Sequence, residues 1–139
     1  DELVRLAQSK RRINSTATLA DRAHSHLEVA RAEAALRSAR AFYYQSIEAA
    51  WLVAQADEKV SIDQRRDIRL ATTHAVEASI KTVDAMYTLG GGSAVYADSA
   101  LQRHFRDVHM TSQHIMVAPS TLETVGRLYL GVEAQTATL

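Results

Sequence analysis

Apolar residues at Val29, Ala32, Leu36, Ala39, Tyr43, Ile47, Ala50 and Ala54 recur in steps of three or four, the spacing that lines one face of an α-helix. This pattern predicts one long helix with a buried stripe. The intervening alanines Ala30, Ala34, Ala35, Ala41 and Ala49 add helix propensity and let a neighbouring helix come close. Leu27, Ala34, Ala41 and Leu52 form further apolar positions outside that stripe. A second helix is predicted to open at Ser61, where Gln64 completes a capping-box pattern, and to carry Ile68, Ala71, Ala75, Ser79, Val83 and Met86 inward. The glycines Gly90 to Gly92 end it. A third is predicted from Ser99, with Gln102 three positions on, through Leu101, Phe105, Val108, Ser112 and Ile115 until Pro119 stops it. Ser120 with Glu123 repeats the capping pattern and opens a fourth through Leu122, Val125, Leu128 and Tyr129 to about Gly131.

Three long helices, one shorter one and short loops predict an all-α fold, an antiparallel four-helix bundle with helices about 20° off parallel. Residues 1–24 read as the end of a truncated helix and a connecting segment without clear periodicity, 25–131 as the helical-bundle domain and 132–139 as a frayed tail.

Composition narrows the function classes. The chain of 139 residues has no cysteine, which excludes thiolate catalysis, cysteine-ligated metals and disulfides and is compatible with the cytoplasm. Sixteen basic and sixteen acidic residues cancel, so no net field draws it to nucleic acid. No apolar run approaches the roughly 18 to 20 residues that span a bilayer, and DELVRLAQSKRR lacks a signal peptide's apolar core. Neither a nucleic-acid nor a membrane partner is expected.

Two features carry candidate chemistry. Gly90, Gly91, Gly92 and Ser93 follow a helix, where unrestricted φ and exposed backbone N–H groups suit a phosphate; equally, one glycine could be a helix cap and the others turn formers. Arg103, Asp107, Thr111 and His114 fall at steps of four, four and three on the predicted third helix. A carboxylate, a hydroxyl and an imidazole on one face could order a histidine for proton transfer, or form an exposed face with an Arg103–Asp107 ion pair. His24 and His26, like His104 and His109, are wrongly spaced to share a metal on a helix, and no metal site is expected. The basic runs Lys10–Arg12 and Arg65–Arg66 read as solvated surface. Trp51, Tyr43 and Tyr44 read as core or interface packing.

The stretch GGGSAVYADSALQRHFRDVHMTSQH resembles the signature of the C-terminal domain of two-component flavin-dependent monooxygenases, which share the acyl-CoA dehydrogenase fold and include aromatic, phenol and thiophene-type oxygenases. The glycine loop, a short spacer, R-x-x-RD and a histidine seven residues after the aspartate occur here in the family's order, and the likeness extends over about residues 27 to 131. The resemblance implies that Gly90, Gly91, Gly92 and Ser93 lie near the phosphate-bearing part of a flavin held mainly by a neighbouring subunit. It implies that His114 is the active-site histidine, with Asp107 a candidate orienting group. Where one large group of acyl-CoA dehydrogenases places its glutamate base, this chain has Ile115, which cannot take a proton. The implied activity is insertion of oxygen into a small, aromatic substrate through a C4a-hydroperoxyflavin. The implied cofactor is reduced FMN or FAD from a separate flavin reductase, in a homotetramer. The family's preceding helical and β domains supply most of the flavin site, so this chain alone is expected to be inactive and to retain no flavin. The alternatives are a domain of an acyl-CoA dehydrogenase-like oxidoreductase and a stand-alone helical interaction module.

Overall fold

The computed structural model describes residues 1–11, 15–137 and 139; Arg12, at the end of the basic run Lys10–Arg12, lies outside them. The described residues form an all-α fold without a strand: α1 Glu2–Ser9, α2 Ala23–Gln55, α3 Ile62–Gly90, α4 Ala100–Thr111 and α5 Pro119–Tyr129. Short 3₁₀ turns occur at Leu19–Asp21, Gly91–Ser93 and Ile115–Val117. Among the described residues no helix is long and apolar enough to cross a membrane. Two compact units are present, Asp1–Leu36 with Ser79–Met110 and Arg37–Ala78 with Thr111–Leu139. Helices α2 and α3 each contribute one part to either unit.

The first unit is centred on Leu3, Leu19, Leu89, Ala94 and Leu101, with Leu6, Ala7, Met86 and Tyr87 packed around them. The segment after α1, aperiodic in sequence, is tied back to it. Lys10 N–H donates to Leu6 O at 2.9 Å, and Leu19 N–H donates to Lys10 O at 2.8 Å. Asp21 accepts from the Thr18 hydroxyl and the Thr18 N–H, both at 2.7 Å. These bonds, the hydroxyl's first, hold its carboxyl below the usual range. Leu19, only 3% exposed, is the apolar anchor of the loop.

On α2 the buried line keeps only the small residues Ala32, Ala39 and Ala50 of the expected stripe. Ser25, Ala32, Ala39 and Ser46 are buried at intervals of seven, with Ala50, whereas Val29, Leu36 and Ile47 are 38%, 37% and 36% exposed. Small side chains admit the neighbouring helix and leave the larger ones at the flanks. In the first unit α2 and α3 line one groove through Ala32, Ala35, Thr82 and Ala85. In the second, Gln64 Nε2 donates to Ala49 O at 3.3 Å, and the rings of Phe42 and His74 lie 6.5 Å apart.

Helix ends show which sequence signals act. The Ser61 capping box closes reciprocally: Ser61 N–H reaches Gln64 Oε1 at 2.9 Å and Gln64 N–H reaches Ser61 Oγ at 3.2 Å. The matching pattern at Ser99 does not close, since Gln102 Oε1 is buried without a hydrogen-bond partner. Helix α4 stops at Thr111, short of the expected Ile115. Pro119 restricts Ala118 to extended backbone (φ −63°, ψ 149°), and His114 is extended too (φ −74°, ψ 131°), so a single 3₁₀ turn fits between them. Pro119 therefore opens α5 as its first residue, in place of the expected Ser120 cap. The tail expected to fray is held: Arg65 Nη2 donates to Thr136 O at 2.8 Å and Arg127 Nε to Glu133 O at 2.8 Å.

Truncating the loop anchor in Leu19→Ala should cost about 2–5 kcal/mol, the range for emptying a buried leucine site. Leu27→Ala, at a position 55% exposed, should cost less than about 1 kcal/mol. Urea denaturation of both variants is the measurement; equal losses would show that Leu19 does not anchor the loop.

Candidate functional site

The three adjacent glycines serve different needs. A Cβ on Gly90 would stand 2.8 Å from Leu101 Cδ1 and 3.0 Å from Ala94 Cβ, so packing beneath α4 requires the bare backbone. Gly91 has φ +49°, in the left-handed region where L side chains are strained. Gly92 has neither reason: a Cβ there would meet nothing within 4 Å. Its open face suits the close approach of a group from outside the chain.

Beside the loop stands a residue that sequence reasoning assigned to solvated surface. Lys10 Nζ donates to Gly90 O and to Ser93 Oγ, the latter at 2.8 Å. Desolvation, and then the nearby Arg22 guanidinium, lower the Lys10 pKa from its ordinary value. Arg22 Nη2 is itself buried without a hydrogen-bond partner. Two cations, a hydroxyl and an unobstructed glycine backbone form a donor set chemically suited to a phosphate. No local pattern signals Lys10, because its partners are 80 and 83 residues away.

The expected polar face of α4 is shorter than the sequence implied. Arg103, Asp107 and Thr111 are on the helix and exposed, while His114 lies past its end. Asp107 and His114 thus share no helical face. His109 has a structural role in the first unit. Its Nδ1 bonds Phe105 O at 2.8 Å, its ring lies 4.4 Å from that of Phe105, and its Nε2 is 3.5 Å from the Asp84 carboxylate.

In the second unit His114 is exposed at the N-cap of the Ile115–Val117 turn, and its Nδ1 accepts from Met116 N–H at 3.2 Å. Ile115 and Met116, 77% and 42% exposed, give it an apolar border of the kind that marks a contact surface. The turn is held from α3. Arg69, 7% exposed, donates through Nη1 to Met116 O at 2.8 Å. One helical turn further on, the buried Thr73 hydroxyl meets Thr121 Oγ1 at 3.1 Å, which donates to Ala118 O at 2.7 Å.

Other sequence assignments change with the structure. Trp51 is 60% exposed, which removes the core half of its core-or-interface reading and leaves the interface half. Arg66 is not simply solvated: its guanidinium lies 4.2 Å from the Tyr129 ring centroid and bonds Asp67 at 2.9 Å and Asp63 at 2.6 Å. The Asp67 hydrogen bond, chiefly, raises its pKa.

Gly92→Ala should leave stability within about 0.5 kcal/mol of the parent, whereas Gly91→Ala should cost about 1–2 kcal/mol for its left-handed backbone. Thermal denaturation compares them. A comparable loss in Gly92→Ala would assign that glycine to the fold instead of to a ligand.

Residues 1–119 match the family model of the acyl-CoA dehydrogenase C-terminal domain. The chain is 36% identical over 131 residues to an indole-3-acetate monooxygenase of Pseudomonas putida, covering 94% of this chain and 34% of that protein. It is 29% identical over 133 residues to an indole-3-acetate monooxygenase of Acinetobacter baumannii, covering 96% and 34%. A pigment production hydroxylase of Rhodococcus erythropolis is 30% identical over 112 residues, 80% of this chain and 28% of that protein. In fold, the crystal structure of a 3-HSA hydroxylase from Rhodococcus sp. RHA1 superposes with a TM-score of 0.85 at 18% identity, over 99% of this chain and 35% of that one. The chain thus spans about a third of the length of these proteins. Its helices, its glycine-loop segment and its R-x-x-RD helix all fall within the matched residues 1–119 as far as the start of α5, and the chain belongs to the acyl-CoA dehydrogenase C-terminal-domain family.

Proposed function

We propose that this chain is the C-terminal helical domain of a reduced-flavin-dependent monooxygenase that hydroxylates a small aromatic substrate. The observation that carries this reading is the 36% identity to a named monooxygenase across 94% of the chain. The second relative bears the same name, and indole-3-acetate is itself a small aromatic compound. A flavin, FMN or FAD, would supply activated oxygen when bound in reduced form. We assign its delivery to a separate flavin reductase, its site to a homotetramer in the cytoplasm, and most of its binding surface to segments other than this one. The domain alone would then be inactive.

Within that reading the chain's own residues have separate roles. Lys10 and Ser93 would hold a flavin phosphate, with Gly92 leaving room for its approach. His114, bordered by Ile115 and Met116, would hydrogen-bond at the reacting centre through the nitrogen not used in its turn. Asp107 enters as an exposed carboxylate on α4, not as the partner of the histidine. A dehydrogenase reading is disfavoured because the residue after His114 is Ile115, which can hold no proton.

In the full-length protein, His114→Ala should lower hydroxylated product by about a hundredfold or more, with a matching rise in hydrogen peroxide as oxygen use is uncoupled from product. His24→Ala, exposed in the first turn of α2, is the control, since His109 is structural. Gly92→Ala and Lys10→Met should weaken reduced-flavin binding in a direct titration. Normal coupling in His114→Ala, or unchanged flavin affinity in both loop variants, would remove the corresponding assignment.

Exposed apolar residues on α2 carry the proposed self-association: in the second unit Tyr44, Trp51 and Leu52 are 54%, 60% and 60% exposed, an apolar surface suited to a subunit contact. Sedimentation should show an oligomer that Trp51→Glu shifts toward monomer. A strict monomer at high concentration would refute the contact.

A further inference from the structure

We propose that Arg69 and Thr73 are positioning residues that hold the 115–118 turn closed on His114 and so keep its imidazole in the Nε2–H tautomer, a hydrogen-bond donor and not a base. This deepens the functional reading above and rests on it for its catalytic meaning. The geometry lies within the second unit. A ring nitrogen that accepts from a backbone N–H carries no proton, so His114 Nδ1, accepting from Met116 N–H at 3.2 Å, leaves the proton of the neutral ring on Nε2. The nitrogen free to face a substrate or cofactor is then a donor. Deprotonation of a phenol, one role open to a histidine here, would require the other tautomer.

Met116 is held on both sides of its Cα. Its N–H closes on the histidine, and its carbonyl accepts from the buried Arg69 guanidinium at 2.8 Å. A buried arginine loses hydration and gains most from a fixed acceptor, so it constrains the turn more firmly than an exposed lysine would. Thr73 acts on the next carbonyl but one. Because Thr121 Oγ1 gives its proton to Ala118 O at 2.7 Å, the 3.1 Å contact between the two hydroxyls requires Thr73 to be the donor. Arg69 and Thr73 are four residues apart on α3 and face the same way. Together they hold the residue that caps the imidazole and Ala118, the residue just before α5.

Nitrogen-15 NMR of histidine-labelled full-length protein, free of flavin, tests this directly, with the His114 signals identified by their loss in His114→Ala. The parent should show an unprotonated Nδ1 and a protonated Nε2. Arg69→Met should lose this pattern and give the averaged signals of two exchanging tautomers, and Arg69→Lys should restore it in part. Thr73→Val gives a milder variant should Arg69→Met fail to fold, and is expected to shift the pattern in the same direction. Mixed tautomers in the parent, or an unchanged pattern in the folded variants, would overturn the proposal. Coupling supplies a second readout. His114→Asn keeps an acceptor for Met116 and a donor beyond it, whereas His114→Asp keeps only acceptors, so Asn should retain about tenfold more product per oxygen, the scale of one hydrogen bond. The reverse order would identify a base and overturn the donor role. Normal coupling in His114→Ala with the parent tautomer intact would instead defeat the functional reading, so the two failures are distinguishable.

Discussion

Backbone that leaves a helix must find hydrogen-bond partners, and in both units of this chain long cations carried by distant segments provide them. Lys10 serves Gly90 O where α3 ends, Arg69 serves Met116 O in the turn between α4 and α5, and Arg65 serves Thr136 O in the C-terminal segment. Both candidate functional segments are irregular. Each is held by one of these bonds, so the geometry of the loop and of the histidine depends on side chains carried by distant segments.

Local signals were legible where both partners lie within a turn of each other. Ser61 and Gln64 form the box that their spacing announces, and the glycine run ends α3 where expected. The same Ser-to-Gln spacing at Ser99 fails because Gln102 is drawn into a buried environment, where its carbonyl oxygen goes unpaired. Pro119 was ambiguous for a physical reason. A proline ends a helix that precedes it and starts one that follows it, and periodicity through Ile115 could not distinguish the two roles. The error carried His114 onto a helical face with Asp107 and so suggested a carboxylate partner. The histidine's actual partner is a peptide N–H two residues later.

The buried line of α2 shows a different limit. Hydropathy favours Val29, Leu36 and Ile47 for the interior, yet the buried positions are the stripe's small residues Ala32, Ala39 and Ala50 together with Ser25 and Ser46. Helix approach is limited by side-chain size as well as by polarity, and a serine whose hydroxyl bonds its own backbone, as Ser46 Oγ does to Phe42 O at 2.9 Å, can be buried at little cost. Larger apolar residues then remain at the flanks. Their exposure on α2 is what a subunit contact would use, so close packing inside the chain and apolar surface outside it have one origin.

The glycine loop poses an electrostatic problem that Lys10 resolves. It follows the C-terminus of α3, where the helix dipole presents about half a negative charge and repels anions. A lysine ammonium bound to the terminal carbonyl brings one full positive charge to that end, reversing the local sign to about half a positive charge, and Arg22 adds to it. A phosphate meeting this loop would therefore face a favourable field that backbone geometry alone would not provide. On this account Gly92 gives room for close approach but no affinity by itself, and any charge that would draw an anion to the loop would come from α1's C-terminal cap, a residue whose importance depends on the fold bringing it there.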